Sequence, residues 1–203
     1  MSERIFDLVP LDPGAGSIWE RVYTVAPLVV VGTRERDGWD LAPKHLALPI
    51  DRERLFGFVC TPRHATYRNA VREGAFTVSY PRPDQVVLAS LAASPRCGEG
   101  EAEKPIVEAL PTLPATEVDG IHLADSTLFL ECELVRTIDD LGDSSLVVGR
   151  VVVARADPAA LRESERDDAA LLRERPLLAY LPPDRYAEIR DSRAFPFPAD
   201  FRR

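Results

Sequence analysis

Apolar residues along this chain form short runs, which indicates strands rather than long helices. Residues 29–33 and Leu55–Cys60 are almost continuously apolar, which predicts strands buried on both faces. Ala75–Tyr80 gives a further strand, while residues 127–137 alternate apolar and charged side chains and residues 146–154 are mostly Val. With a further strand over residues 40–48, the pattern predicts six or more strands.

Turn residues divide these strands into hairpins. Asp37-Gly38 lies between residues 29–33 and a strand predicted over residues 40–48, and Gly readily supplies the positive φ that a tight turn requires. A second turn, rich in Asp and Gly, at residues 139–143 joins the two strands of a long antiparallel hairpin. Antiparallel hairpins with few helices favour a β-barrel over a doubly wound sheet.

Helical segments are few and short. A helix through Tyr67 and Ala70 is predicted to end at Gly74, and Asp84 is predicted to cap a second helix over residues 85–93. Residues 94–120 are rich in Pro, Gly and Glu, which predicts an irregular excursion with one short helix near residues 106–110. Excursions of this kind often cover a functional site.

The length of 203 residues suits a single domain, residues 1–203. The regular core is expected over about residues 22–158. Residues 159–203 begin with a charged stretch and end with an aromatic, Pro-punctuated one, AFPFPADF. We expect this C-terminal extension to pack on the barrel or on a partner subunit, because such a tail cannot bury its apolar residues alone.

Charge and composition exclude several classes of partner. A formal net charge of -8 with scattered Arg residues argues against binding to nucleic acid or to an anionic membrane, both of which need a clustered basic face.

The first ten residues lack the apolar segment of a secretion signal, and the apolar runs are far shorter than the ~20 residues of a membrane-spanning helix. Cys60, Cys97 and Cys132 are widely spaced and odd in number, which indicates buried, reduced thiols. We expect a soluble, cytoplasmic protein.

Two groups of polar side chains at strand ends are candidates for an anion site. Lys44 and His45 are neighbours on a strand, so only one of them can face a given pocket. Arg63, His64 and Thr66 precede or begin a helix, where free backbone N–H groups and the helix dipole favour an anion. A solvent-facing Lys with a satisfied His, and helix capping by Thr66, explain the same residues without a ligand.

Other common kinds of site are not indicated. The three histidines, His45, His64 and His122, have no ligand spacing, so no metal site is predicted. No GxSxG elbow, GxGxxG or GxxxxGK loop occurs. Glu131 and Glu133 are expected to be solvated on a hairpin face. The residues taken alone thus indicate an antiparallel β domain with an anion pocket, and they name no reaction.

The order of several segments resembles the flavin reductase-like family. The resembling pieces are APLVVVGTRERDGWDLAPKHLALPI, LFGFVCTPRHATYRNAVREGAFTVSYP and STLFLECELVRTIDDLGDSSLVVGRVVVARADP, which together span about residues 22–158. This resemblance implies a mostly β fold with short helices, an antiparallel split β-barrel that binds FMN. It also implies a homodimer, since such barrels typically hold FMN in a groove between two subunits.

The resemblance assigns roles to specific residues. It implies that Asp40, Leu41, Ala42 and Pro43 run along the flavin ring, mainly through backbone contacts, and that Lys44 or His45 reaches toward the ring or the phosphate. Arg63, His64 and Thr66 would bind the FMN phosphate. Asn69 matches the family's Asn on the helix that follows, where it either binds FMN or only braces the loop.

One departure from the family pattern bears on catalysis. Many reductases of this family carry a His in the turn before the final core strand, near the nicotinamide, whereas this chain has Asp143-Ser144-Ser145. The resemblance implies an oxidoreductase that moves electrons from NAD(P)H through FMN to an acceptor, without naming a catalytic residue. The departure keeps open a non-catalytic FMN-binding electron carrier or sensor, and a purely structural dimerising barrel is the third interpretation.

Overall fold

The computed structural model describes residues 9–98, 103–162 and 167–198. In chain order, the elements are β1 Ala26–Pro27, β2 Val29–Arg34, β3 Trp39–Lys44, β4 Ala47–Pro49, β5 Leu55–Cys60, α1 Ala65–Glu73, β6 Ala75–Tyr80, α2 Val86–Leu91, α3 Ile106–Ala109, β7 Thr112–Pro114, β8 Ile121–Leu123, β9 Leu128–Leu141, β10 Ser144–Ala156, α4 Asp168–Glu174, β11 Leu177–Leu181 and β12 Arg185–Ile189. No helix within the described ranges is both long and apolar enough to cross a membrane.

A seven-stranded antiparallel sheet forms the body of the molecule, in the order β3-β2-β6-β9-β10-β5-β4. Its two edge strands, β3 and β4, are joined by only His45 and Leu46. Since the Cα atoms of Lys44 and Ala47 lie at most about 11 Å apart across such a link, the sheet must curl until its edges are neighbours. The result is an open, curled half-barrel.

The link between β3 and β4 corrects the single strand predicted over residues 40–48. The chain bends at His45 and Leu46, where it leaves its pairing with β2, and Ala47 then pairs with Phe58 on β5. The predicted hairpin turn is confirmed, with Gly38 at φ +104°. The second predicted hairpin is also confirmed, although β9 and β10 are longer than the sequence pattern indicated.

Two apolar clusters lie on opposite faces of the central strands. Val29 and Val31 of β2 point into the barrel, where the cluster includes Phe56, Phe58 and Phe76. Val30 points the other way and packs with Leu41, Ala89, Val107 and Leu123 in an outer layer. The predicted burial of β2 on both faces is confirmed, because the irregular excursion covers the outside of the sheet.

Helix α1 follows the prediction closely. It ends at Gly74, which adopts the left-handed conformation at φ +68° and closes the helix through an N–H bond to the Ala70 carbonyl. The prediction for α2 needs a correction. Asp84 lies inside a 3-10 turn, Pro83–Gln85, and the helix proper starts only at Val86, because Pro83 fixes the entry and Gln85 bonds back to the Arg82 amide.

The excursion contains the predicted short helix, α3, and the strand β7, which forms a small hairpin with β8 directly after the excursion. A side chain at Gly32 would collide with the Ile121 carbonyl, so Gly lets β8 pack directly on β2. The excursion also corrects the expectation that Glu131 is solvated: its side chain is fully buried, because residues 116–118 cover it, while Glu133 is exposed as expected.

The C-terminal extension is described at residues 159–162 and 167–198. β11 pairs with β1 and with β12 in a three-stranded sheet, so this part of the extension packs on the chain's own barrel. The prediction that the first ten residues form no secretion signal falls mostly outside the described residues, which begin at Val9. Cys60 and Cys132 are buried as predicted, whereas Cys97 is exposed because it lies in the excursion loop.

Candidate functional site

A polar cavity of about 610 Å³ lies where β3 meets the start of α1 and the excursion. Its lining residues are Asp40, Ala42, Pro43, Lys44, Arg63, His64, Ala65, Thr66, Arg68, Ala92, Ala93, Ser94, Pro95, Arg96 and Lys104. We call it the cationic cavity, because five of these side chains are Lys or Arg. Its size falls within the range of ~300–1,000 Å³ that is typical of small-ligand sites.

The amino end of α1 contributes backbone donors to this cavity. His64 is the N-cap residue, with extended backbone angles, and no side chain caps the helix there. Ala65 and Thr66 line the cavity and belong to the first turn, in which N–H groups have no intrahelical acceptor. The helix start therefore offers the amides and the positive dipole end that favour an anion.

Thr66 does not cap the helix; its hydroxyl donates to Asp40 Oδ2 at 2.9 Å. Asp40 is buried and, among the described residues, is the only carboxylate on the wall of the cationic cavity. Lys104 Nζ lies 2.9 Å from Asp40 Oδ1 and also donates to the Leu41 carbonyl at 2.7 Å. Arg96 approaches the same carboxylate oxygen at 3.4 Å. Asp40 is thus neutralised and fixed by its own surroundings.

The cations at the helix start are arranged differently. Among the described residues, no carboxylate pairs with Lys44, Arg63 or Arg68, although Arg68 donates to the Arg63 carbonyl. Burial and the nearby positive charges of Lys44 and Arg63 lower the pKa of His64 below its usual 6.5. This corner of the cavity therefore carries positive charge that no carboxylate within residues 9–98, 103–162 and 167–198 pairs with.

A second set of contacts, behind the cavity wall, fixes the positions of α1 and Asp40. Asn69 is buried and donates from its amide to Thr33 Oγ1 at 3.2 Å and to Glu35 Oε1 at 3.4 Å. Arg96 bridges from Glu35, at 2.7 Å, to Asp40. Asn69 is therefore placed to brace α1 against β2 and does not reach the cavity wall.

The neighbours Lys44 and His45 face different cavities, because β3 ends at Lys44 and the chain bends at His45. Lys44 lines the cationic cavity, whereas His45 stacks on Tyr180 with ring centroids 4.8 Å apart, in an adjacent cavity. Burial, followed by the positive charge of Lys44, lowers the pKa of His45.

Seven of the ten candidate residues from the sequence line the same cavity: Asp40, Ala42, Pro43, Lys44, Arg63, His64 and Thr66. The structure does not bring Leu41, His45 or Asn69 to that wall; Leu41 is buried in the outer core. Sequence reasoning missed Arg68, Arg96 and Lys104. The only signal for the last two was their place in an irregular excursion of the kind that covers sites.

The departure from the family pattern lies close to this site. Ser145 is fully buried on β10 and pairs with Cys60, the last residue of β5 before the Arg63 loop. The hydroxyls of Ser145 and Tyr67 lower the pKa of Asp139, and the Tyr67 hydroxyl donates to this carboxylate at 2.8 Å. The β9-β10 turn is thereby tied to α1.

The model of the flavin reductase like domain matches residues 22–187. The chain belongs to this family. The match extends beyond the resemblance over residues 22–158 and includes β11 and most of β12. No curated protein matches the chain.

Solved structures show the same fold. A protein from Shewanella frigidimarina NCIMB 400, assigned as a flavin reductase with a split barrel domain, superposes with a TM-score of 0.73 at 18% identity, covering 86% of this chain and 87% of its own. The flavoredoxin of Desulfovibrio vulgaris (Miyazaki F) gives 0.71 at 23% identity, with 91% and 98% covered. An FMN-binding protein from Thermus thermophilus, with 1-cyclohex-2-enone bound, gives 0.70 at 20%, with 92% and 96% covered. The split-barrel fold predicted from the sequence is confirmed.

Proposed function

We propose that this protein is an FMN-binding flavoprotein in which the cationic cavity holds the phosphate. The observation that carries the proposal is the corner formed by Lys44, Arg63 and Arg68 at the amino end of α1, which lacks a balancing carboxylate among the described residues. A phosphate fits this corner because it can accept from the helix amides and from both kinds of cationic side chain. Each such charge-assisted contact contributes about 1.5 to 3 kcal/mol to binding.

The flavin ring would extend from this corner along Ala42 and Pro43. Both residues line the cavity, and they offer small side chains beside which a planar ring can lie. Asp40 and Lys104 would form the far end of the wall. Since Asp40 is neutralised by Lys104 and Arg96, its carboxylate adds little repulsion against an anionic ligand.

FMN supplies hydride and electron-transfer chemistry when bound, and the protein supplies binding, orientation and electrostatics. We propose that the protein is an oxidoreductase that uses NAD(P)H as the reductant and passes electrons to an acceptor. The family membership and the flavin reductase and flavoredoxin among its structural neighbours support this proposal.

The first test is the colour and cofactor content of the purified protein. We expect a yellow protein that releases FMN on denaturation, identified by chromatography against FMN, FAD and riboflavin standards. A colourless protein that takes up no added FMN would contradict the proposal. Release of riboflavin alone would contradict the phosphate assignment and leave ring binding intact.

The second test changes the phosphate corner. Lys44→Ala with Arg63→Ala should weaken FMN binding at least 100-fold, because two charge-assisted contacts are lost. The matched control is Arg36→Ala with Arg52→Ala, which removes the same charge from exposed positions away from the cavity. Equal losses in both double variants would show a general charge effect and refute the assignment.

A non-catalytic FMN carrier or sensor is the second candidate function. It is favoured by Ser144-Ser145, which stand where many reductases of the family carry a His, and by the burial of Ser145. Anaerobic stopped-flow mixing with NADH and with NADPH separates the two functions. Rapid loss of flavin absorbance supports the reductase; a flavin that stays oxidised with both donors supports the carrier.

We also propose a homodimer. Leu46, Leu48 and Ile50, on and beside the edge strand β4, are between 42% and 53% exposed, and Leu141 at the tip of the long hairpin is 52% exposed. Apolar side chains on an edge strand favour pairing with another surface. Leu48→Lys should convert the dimer to a monomer in light scattering, and a wild-type monomer at micromolar concentration would refute the proposal.

A further inference from the structure

A second cavity, of about 440 Å³, lies directly beside the cationic cavity. Pro43 and Ala93 line both, so the two spaces meet at these residues. We call the second space the aromatic cavity, because His45, Tyr180 and Tyr186 line it. Its remaining wall is mostly the apolar side chains of α2 and Leu28.

The C-terminal hairpin builds one side of this cavity. Tyr180 belongs to β11 and Tyr186 to β12, and they are direct partners in that pairing. The ring of His45 rests against Tyr180, while Tyr186 remains 53% exposed. A flat ring entering the cavity therefore meets aromatic faces and edges, with which aromatic rings pair favourably.

The charges around the aromatic cavity balance. Asp184 and Arg185 are adjacent and have opposite sign, and the Tyr180 hydroxyl is already used in a bond to the Pro183 carbonyl. The five Lys and Arg side chains of the cationic cavity do not line the aromatic cavity, because the two cavities share only Pro43 and Ala93. The aromatic cavity thus suits an uncharged ligand, in contrast to the cationic one.

We propose that the aromatic cavity binds a small, uncharged, planar aromatic molecule of one or two rings, next to the flavin ring in the cationic cavity. This inference rests on the proposed function for its neighbour and names the class of molecule that the flavin would meet. Its volume lies in the range of small-ligand sites. The shared residues Pro43 and Ala93 put the two ligands in adjoining space.

The test measures 2-naphthol binding by calorimetry to the FMN-loaded protein. Ser90 is exposed on α2 and lines the cavity, so Ser90→Trp should fill it and weaken 2-naphthol binding at least tenfold. Leu91 is 40% exposed on the same helix and does not line the cavity, so Leu91→Trp is the matched control and should bind as the wild type does. Tyr186→Ala should weaken binding about threefold and serves if Ser90→Trp fails to fold.

Three results would overturn the inference. Wild-type affinity for 2-naphthol in both Ser90→Trp and Tyr186→Ala would show that 2-naphthol binds elsewhere or not at all. Loss of FMN together with 2-naphthol in Ser90→Trp would show that the aromatic cavity holds the flavin's own ring. A change in oligomeric mass in Ser90→Trp, but not in Leu91→Trp, would show that a second copy of the chain covers it.

The proposed function fails separately. If the protein takes up no FMN but binds 2-naphthol, and Ser90→Trp removes that binding, the FMN assignment is wrong and the aromatic site stands. If FMN binds and 2-naphthol does not, the aromatic site is wrong and the FMN assignment stands.

Discussion

Asp40 and Glu131 are both buried carboxylates beneath the same excursion, yet their surroundings differ. Asp40 is held by long cationic side chains, Lys104 and Arg96, and lies on the wall of a cavity. Glu131 is held mainly by backbone N–H groups of residues 116–118, and it lines none of the described cavities. Asp40 therefore belongs to an open cavity. Glu131 belongs to a closed contact between β9 and residues 116–118, which we call the Glu131 joint.

The Glu131 joint places a Ser, a His and a Glu next to one another, which is the order of residues in a Ser-His-Glu catalytic triad. Ser79 Oγ lies 3.4 Å from His122 Nδ1, and His122 Nε2 lies 4.0 Å from Glu131. All three side chains are fully buried, and Ser79 already accepts from the Leu123 amide. A substrate cannot reach these three side chains. The comparison shows that a buried charged residue indicates a ligand-binding or catalytic site only where a cavity lies beside it.

The largest expected effect concerns the stability of the closed joint. Glu131→Ala should lower the free energy of unfolding by about 3 kcal/mol, because several backbone donors lose a charged acceptor. Urea denaturation measures this change. Glu133→Ala on the same strand is exposed and should stay within about 0.5 kcal/mol. FMN affinity should be unchanged in both variants. A loss of FMN binding in folded Glu131→Ala would contradict the conclusion that the Glu131 joint is separate from the cationic cavity.

The second effect is the pH dependence of the joint. Burial lowers the pKa of His122 from 6.5 to about 4, although Glu131 raises it in part. Between these pH values the unfolded chain takes up a proton that the folded chain does not, so stability is complete above pH 6.5 and falls as the pH is lowered toward 4. The loss attributable to His122 is at most about 1.4 kcal/mol per pH unit.

His122→Gln isolates this contribution, because His45 and His64 remain in both proteins. Urea denaturation at pH 7, 6 and 5 should give a shallower pH profile for the variant. Parallel profiles would mean that His122 titrates normally in the fold. Glu131 acts at lower pH: burial raises its pKa, but hydrogen bonds from residues 116–118 outweigh burial and lower it below 4.5, so its contribution is lost only as the pH falls through that lower value.

The third effect concerns the open site. Asp40→Asn removes the one carboxylate that the described part of the chain places on the wall of the cationic cavity, and it keeps an oxygen for the Thr66 hydroxyl. We expect FMN binding to tighten about fivefold, equivalent to about 1 kcal/mol, because Lys104 loses its counterion while Arg96 keeps Glu35. Calorimetric titration measures this change. Weaker binding in a folded Asp40→Asn would mean that Asp40 positions the ligand, beyond neutralising the charge of Lys104.

The smallest effect is a change in titration at the helix start. The positive charges of Lys44 and Arg63 contribute to the lowered pKa of His64, and a bound phosphate would offset them. NMR titration should show a higher pKa for His64 when FMN is present than in the FMN-free protein. His122, which lines none of the described cavities, is the internal control and should titrate as before. An unchanged His64 would place the phosphate elsewhere.

The strands were predictable where a local pattern defines them. Residues 29–33 and the long hairpin were recognisable because apolar runs and turn residues lie within a few positions of each other. The break at His45 and Leu46 was not, because it depends on which strand Ala47 pairs with. The burial of Glu131 was hidden for the same reason: on its own strand it alternates like a solvated residue, and the loop that covers it comes from residues 116–118.

The sequence by itself predicted the succession of strands along the chain, a helix start near residues 63–66 and seven of the residues that line the cationic cavity, because each of these features depends on a short local segment. Only the tertiary structure decided that Arg96 and Lys104 neutralise Asp40, across 56 and 64 residues. It also placed His45 in a different cavity from Lys44 and brought Tyr180 against it. Contacts of this kind arise from the curl of the sheet and the path of the excursion, which no local pattern encodes.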